Sequence, residues 1–254
     1  MTVFAGAFRM QFQLLSRKPD DLMLLITTPL LTVAFLSIVL HAGRGDLTAF
    51  AIVGPGVMAI FQMALFVSGE LIAAERHSGT FEATLATPAR FSVVMFARIL
   101  AVTLVSFVSL LESVAVAALF GISLMAWHPV VLALTLVCTA FAMAGTAVIM
   151  AAVFVIARSA RSFQNSLSYP FFLLGGVFVP VAFLPAWLQP LSNLVFLSWS
   201  SQLLRDSLDS AALTDAAPRL GAIVLLGALA LVGGELLLRR MLRRVRQQGA
   251  AGLA

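Results

Sequence analysis

Six separate apolar runs, each close to the roughly 20 residues a helix needs to cross a bilayer, constrain this chain more than any other feature. They extend from Leu22 to Leu40, Ala49 to Ser68, Ile99 to Gly121, Val130 to Ile156, Ser166 to Leu184 and Leu220 to Leu238. One soluble core cannot hide so much apolar surface. Only 11% of the residues are charged and 61% are hydrophobic, where a soluble domain carries about 25% charged residues. Lipid offers the backbone no hydrogen bonds, so each run must satisfy its own peptide groups, and the expected fold class is an all-α integral membrane protein with six transmembrane helices. Pro29, Pro55 and Pro170 fall inside or at the edges of these runs, which membrane helices tolerate where neighbours satisfy the freed groups.

Charge then orients the spans. Arg9, Arg17, Lys18, Arg76, Arg90, Arg98, Arg158, Arg161, Arg239, Arg240, Arg243, Arg244 and Arg246 fall on one side of a six-span arrangement, and Arg44, Arg205 and Arg219 on the other. Thirteen basic residues against three place both termini, the loop after span 2 and the loop after span 4 in the cytoplasm. The net charge of +5 sits at the ends of apolar runs rather than in one aromatic-interleaved patch. That distribution points to membrane orientation and away from nucleic acid. The first run has no small-residue cleavage site to shorten it, so the N-terminus is read as retained.

Ahead of span 1, Phe4, Phe8, Phe12 and Leu15 recur at helical spacing, with Arg9, Gln13 and Ser16 elsewhere around the turn. Over residues 1–19 this describes an interfacial helix or a plain extension of span 1, and Pro19 with Asp20 and Asp21 favours a break between the two. The other hydrophilic stretches, residues 73–90 and the basic tail 239–254, are too short to fold alone. The chain therefore reads as a single transmembrane domain over residues 1–254.

The most informative polar segment follows span 2, from Glu75 to Pro88. Gly79 can interrupt a helix, Thr80 can cap a new one, and Glu82 would lie in its first turn, where a carboxylate complements the helix dipole. Phe81 and Leu85 are four apart and share a face, and Pro88 ends the element. The product is a short amphipathic cytoplasmic helix with apolar knobs, suited to docking. Its pattern, Glu-Arg-x-x-Gly-Thr-x-Glu-x-x-Leu-x-Thr-Pro, resembles the coupling-helix motif of type 2 ABC transporter permeases, a family that includes drug-resistance, nodulation-type and polysaccharide exporters. Chain length, span count and order of elements agree with that resemblance throughout.

The resemblance implies that Glu75, Arg76, Gly79, Thr80, Phe81, Glu82 and Leu85 couple the spans to a nucleotide-binding subunit. It also implies two copies of that ABC ATPase, which would bind ATP and Mg, and a second permease copy, identical or related. The setting would be the bacterial inner membrane, with lipid around a multi-pass protein and cargo that is an amphipathic or hydrophobic drug, antibiotic, lipid or lipid-linked molecule. This chain has no P-loop: its only lysine, Lys18, stands between Arg17 and Pro19. Hydrolysis is accordingly assigned to the partner, and no cofactor is expected in the chain itself.

Between spans 5 and 6, Gly175, Gly176, Pro180, Pro185 and Pro190 fall within sixteen residues. One straight helix cannot hold them, so broken or re-entrant helices are expected at the outer face. Trp187 and Trp199 suit a membrane interface. The segment resembles the family's outer helical hairpins, which implies an outer gate at Gly175, Gly176, Pro180, Pro185 and Trp187. It departs from the family at Leu194–Trp199, where an Asn-Pro pair is common.

Glu112 stands in the middle of span 3, where a carboxylate usually faces a bundle interior or a watery path. Ser106, Ser109 and Ser113 are on nearby turns as potential hydrogen-bonding neighbours, so Glu112 reads either as part of the pathway or as a packing residue. Glu235 would pair with Arg239 at the end of span 6, and Glu70 with Arg76. The small residues Ala140, Ala144, Gly145, Ala147, Ala151 and Ala152 of span 4 allow close helix contact. His41, His77 and His128 are far apart and Cys138 is the single cysteine, so no metal site or disulfide is expected. An ion- or proton-coupled transporter using Glu112 is the competing class; a lipid-acting enzyme would need a convergent polar cluster that the sequence does not display.

Overall fold

A computed structural model describes residues 3–17, 23–77, 91–122, 128–154, 160–209, 213 and 215–247. Among the described residues the fold is all-helical. In chain order the helices are α1 (Val3–Arg17), α2 (Met23–His41), α3 (Thr48–His77), α4 (Phe91–Ser106), α5 (Val108–Leu119), α6 (Pro129–Phe154), α7 (Ala160–Leu174), α8 (Gln189–Ser192), α9 (Phe196–Asp206) and α10 (Ala216–Gln247). Short 3-10 turns occupy Gly45–Leu47 and Val181–Phe183.

Four segments are long and apolar enough to cross a bilayer: Gly45–Leu65, Val93–Leu119, Pro129–Val153 and Ala216–Met241. They correspond to expected spans 2, 3, 4 and 6, and they make this a multi-pass membrane protein. A shorter apolar helix, Ile26–His41, occupies the place of span 1. The run expected as span 5 is not one helix through Leu184. α7 stops at Leu174, and the ten residues after it are turns, coil and a 3-10 turn.

α3 and α6 form the centre. α3 buries nearly every residue from Ala51 to Leu65, and α6 buries Ala140, Ala142, Met143, Ala144, Ala147, Val148, Ala151 and Ala152. The partner of that small-residue face is α10. A Cβ at Gly227 would come within 2.7 Å of the Ala142 backbone, and one at Gly145 within 2.6 Å of the Gly227 carbonyl. The two backbones meet where side chains would otherwise hold them apart, a contact that membrane helices use because packing, rather than water exclusion, drives their association. Away from this seam α10 exposes Leu225, Leu229, Val232 and Leu236, as a lipid-facing helix should.

α1 is a helix, and it docks against α4. Gln11 and Leu15 are buried, and the Gln11 Oε1 accepts a 2.9 Å hydrogen bond from Nε of Arg98. Arg98 is thus a buried anchor for α1 rather than a solvated loop charge. Of the expected apolar face, Leu15 is buried, while Phe4 and Phe12 are exposed at 37% and 57%. The expected break at Pro19–Asp21 lies outside the described residues.

Replacing Gly227 by Leu puts a branched side chain against backbone and should destabilise the fold by about 1–3 kcal/mol, the usual cost of overpacking. Gly221→Leu, at a position with nothing nearby, should be close to neutral. Thermal unfolding of the two detergent-purified variants measures the difference.

Candidate functional site

The segment expected at the outer face, called the outer segment below, is built on the way α7 ends. Gly176 takes a left-handed φ of +61°, the Val177 N–H reaches the Phe172 carbonyl at 3.0 Å, and the Gly176 N–H reaches Leu173 at 3.2 Å. This is a Schellman cap, which needs a residue free of the Cβ penalty at its left-handed position. Pro180 then caps the 3-10 turn, and Leu188 and Gln189 turn back onto Pro185. Trp187 is 70% exposed, whereas the indole N–H of Trp199 donates to the Asn193 carbonyl at 3.0 Å.

From there α9 runs into the bundle. Phe196, Leu197, Leu203 and Leu204 supply its buried apolar face, and its serines supply the polar contacts. Ser200 accepts a 2.9 Å hydrogen bond from Thr139 of α6, and Ser201 donates at 2.7 Å to the Gly175 carbonyl. At the end of α9 Arg205 is buried. Its Nη1 donates to the Gly176 carbonyl at 3.2 Å and its Nη2 to Ser201 Oγ at 3.3 Å, while its guanidinium carbon lies 3.8 Å from the centre of the Phe50 ring on α3. Burial pulls the guanidinium down to about 10, so it remains a cation at neutral pH. Neighbouring Asp206 faces the other way, paired with Arg219.

Arg205 therefore joins the end of α7, the end of α9 and the start of α3. Further along α3, Phe61 packs against Phe171 and Phe172 of α7 at 5.3 and 5.4 Å between ring centres. One helix thus contacts both α7, through Phe61, and the end of α9, through Phe50. At 1.5 Å per residue the 30 residues of α3 span about 45 Å, and the other end carries Glu75 and Arg76 within the helix. The remaining residues expected to couple, Gly79, Thr80, Phe81, Glu82 and Leu85, lie outside the described residues, as do the side chains of Glu70, Glu75 and Arg76.

The structure also revises the surroundings of Glu112. The nearby hydroxyls do not serve it: Ser106 and Ser113 donate to the carbonyls of Thr103 and Ser109, Ser109 donates to Ser106 and to Gly56 of α3, and Thr32 of α2 donates to Ser113. A helical hydroxyl bonds back to the preceding turn before it reaches sideways. Glu112 is on the flank of α5, and its Oε2 is buried without a hydrogen-bond partner. At the far end of the chain Glu235 and Arg239 form the expected pair, Nε donating to Oε1 at 2.6 Å.

Arg205 escapes detection in the sequence because it counts there as an outer loop charge. Its one visible cue is its place at i+4 from Ser201, on the face of α9 that also carries Ser198 and Gln202. Arg205→Ala should lower stability by about 1–3 kcal/mol through the loss of charge-assisted bonds to a buried carbonyl. Arg205→Lys, charged but without the planar fork, should recover only part of it. Thermal unfolding in detergent reads both.

Among curated proteins no match to the sequence was found. A family model described as ABC-2 type transporter does match, over residues 3–208, which takes in α1 to α9 and hence the outer segment, α3 and Arg205. That match covers most of the chain, and the protein belongs to the ABC-2 type transporter family, as a membrane permease component of an ABC transporter.

Proposed function

We propose that this chain is the permease half of an ATP-driven exporter, moving a hydrophobic or amphipathic molecule such as a drug, antibiotic or lipid-linked compound outward. Two permease copies would work with two copies of a separate ATPase that binds ATP and Mg. The observation that carries this reading is the single helix α3, which holds Arg205 at the end of α9 through Phe50 and α7 through Phe61, and which enters the coupling motif at Glu75 and Arg76. A push on Phe81, Glu82 and Leu85 would be delivered along that helix to the outer gate. In this arrangement α2 and α7 complete six spans, α7 with help from the outer segment, and both termini face the cytoplasm of a bacterial cell. The polar seam of Thr32, Ser109 and Ser113 would let α2, α3 and α5 shift together.

A second reading has one observation in its favour. The unpartnered Glu112 oxygen is a place for a proton or an ion, and the chain would then be driven by a gradient.

Co-purification of the tagged chain with its native partners separates the two. An ATPase subunit should accompany the wild type and be lost from the Glu82→Arg, Phe81→Asp double variant, with folding unchanged. Transport that survives an inactive ATPase, collapses with the proton gradient and fails in Glu112→Gln would instead establish gradient coupling.

A further inference from the structure

α4 and α10 both pack on α6 and leave a groove of about 370 Å³ between them. Its walls are apolar: Val93 and Phe96 come from α4, and Leu231 and Leu236 from α10. Phe96 in turn meets Phe141 of α6 edge-on at 6.0 Å. Glu235 and Arg239 also line it. Val93 opens one membrane-crossing segment, and Arg239 lies two residues before the close of another at Met241. The charged pair therefore stands at the depth where hydrocarbon gives way to headgroups, with the apolar walls extending towards the bilayer interior.

The electrostatics of this mouth are specific. Arg239 uses Nε on Glu235, and its side chain is 52% exposed. Glu235 thus holds the guanidinium in one orientation, with both terminal nitrogens left to make the two parallel bonds that suit a phosphate. Arg240, exposed on the next position, adds a second cation at the same level. An anionic headgroup beside an apolar wall is the chemistry this combination accepts, as basic pockets between membrane helices do.

We propose that the groove is a phospholipid site, with an acyl chain along Val93, Phe96, Leu231 and Leu236 and the phosphodiester on Arg239. The occupant comes from the surrounding bilayer and goes in sideways between α4 and α10. Its headgroup braces the basic end of α10 against α4, beside the tight seam with α6, which Leu231 also borders.

The test uses the full chain in phosphatidylcholine vesicles that contain a small fraction of phosphatidylglycerol with a diazirine in its acyl chain. After illumination, the labelled residues are mapped by mass spectrometry. Labels should concentrate on Val93, Phe96, Leu231 and Leu236, above the level on Ile26, Leu30 and Ile38, which α2 exposes. A charge-assisted bond of about 1.5–3 kcal/mol corresponds to tenfold or more in occupancy, so Arg239→Gln should reduce the excess roughly tenfold. Leu236→Trp fills the groove but leaves Arg239 in place, and should lose the excess as well. A groove labelled no more than α2, or equally in the wild type and Arg239→Gln, means ordinary lipid solvent and overturns the proposal. A groove that stays unlabelled because a second copy or transported cargo covers it overturns it too.

Discussion

The buried guanidinium of Arg205 makes the break after α7 tenable. Ending a helix inside an apolar bundle leaves carbonyls that neither lipid nor a continuing helix can satisfy. Here the Schellman cap closes two of them, Ser201 takes the Gly175 carbonyl and Arg205 takes that of Gly176. The cation is itself sheltered by the Phe50 ring rather than by a carboxylate. Without those donors the chain could not turn at residues 175–177 and send α9 back into the protein. The outer segment would lose its position relative to α3.

Helices and membrane crossings are the legible part of the sequence, because a run of apolar residues long enough for the bilayer has few other solutions. Span 5 reads too long for the same reason: composition continues to Leu184, whereas the backbone obeys Gly175 and Gly176. Charged residues that turn inward are the illegible part. Arg98 and Arg205 count as loop charges in a positive-inside tally, yet both are buried and bonded to elements 87 and 29 residues away. Such pairings are set by tertiary packing, which leaves no local periodicity. Glu112 illustrates a different failure, since serines on adjacent turns occupy the packed face of α5 while the carboxylate stands on its flank. Of the expected gate residues, Gly175 and Gly176 form the turn, Pro180 and Pro185 shape the 3-10 and reverse turns beyond it, and Trp187 stands exposed. The coupling motif, though the most informative stretch of the sequence, falls mostly outside the described residues.

Two kinds of contact divide the labour in this fold. The α6–α10 seam is backbone against backbone, with Gly145, Gly227 and Gly234 leaving no room for adjustment. α3 adds rings and hydroxyls to its close approaches at Gly54 and Gly56: Phe61 meets Phe171 and Phe172, the Gly56 carbonyl accepts from Ser109, and Phe50 meets Arg205. Contacts of the second kind can slide or re-form at modest cost, and contacts of the first kind cannot. A rigid α6–α10 pair would serve as a frame against which α3, α7 and α9 move together.

Spin-label distances among three exposed positions in a Cys138→Ser background, with the ATPase bound, address that movement directly. Asp46, in the 3-10 turn that leads into α3, reports on that helix, Trp187 on the outer segment, and Leu225 on the frame. If α3 and the outer segment form one mechanical unit, ATP should change both distances to Leu225 while the distance from Asp46 to Trp187 stays constant. A change between Asp46 and Trp187 on ATP binding, or no change relative to Leu225 in an actively transporting complex, would contradict it.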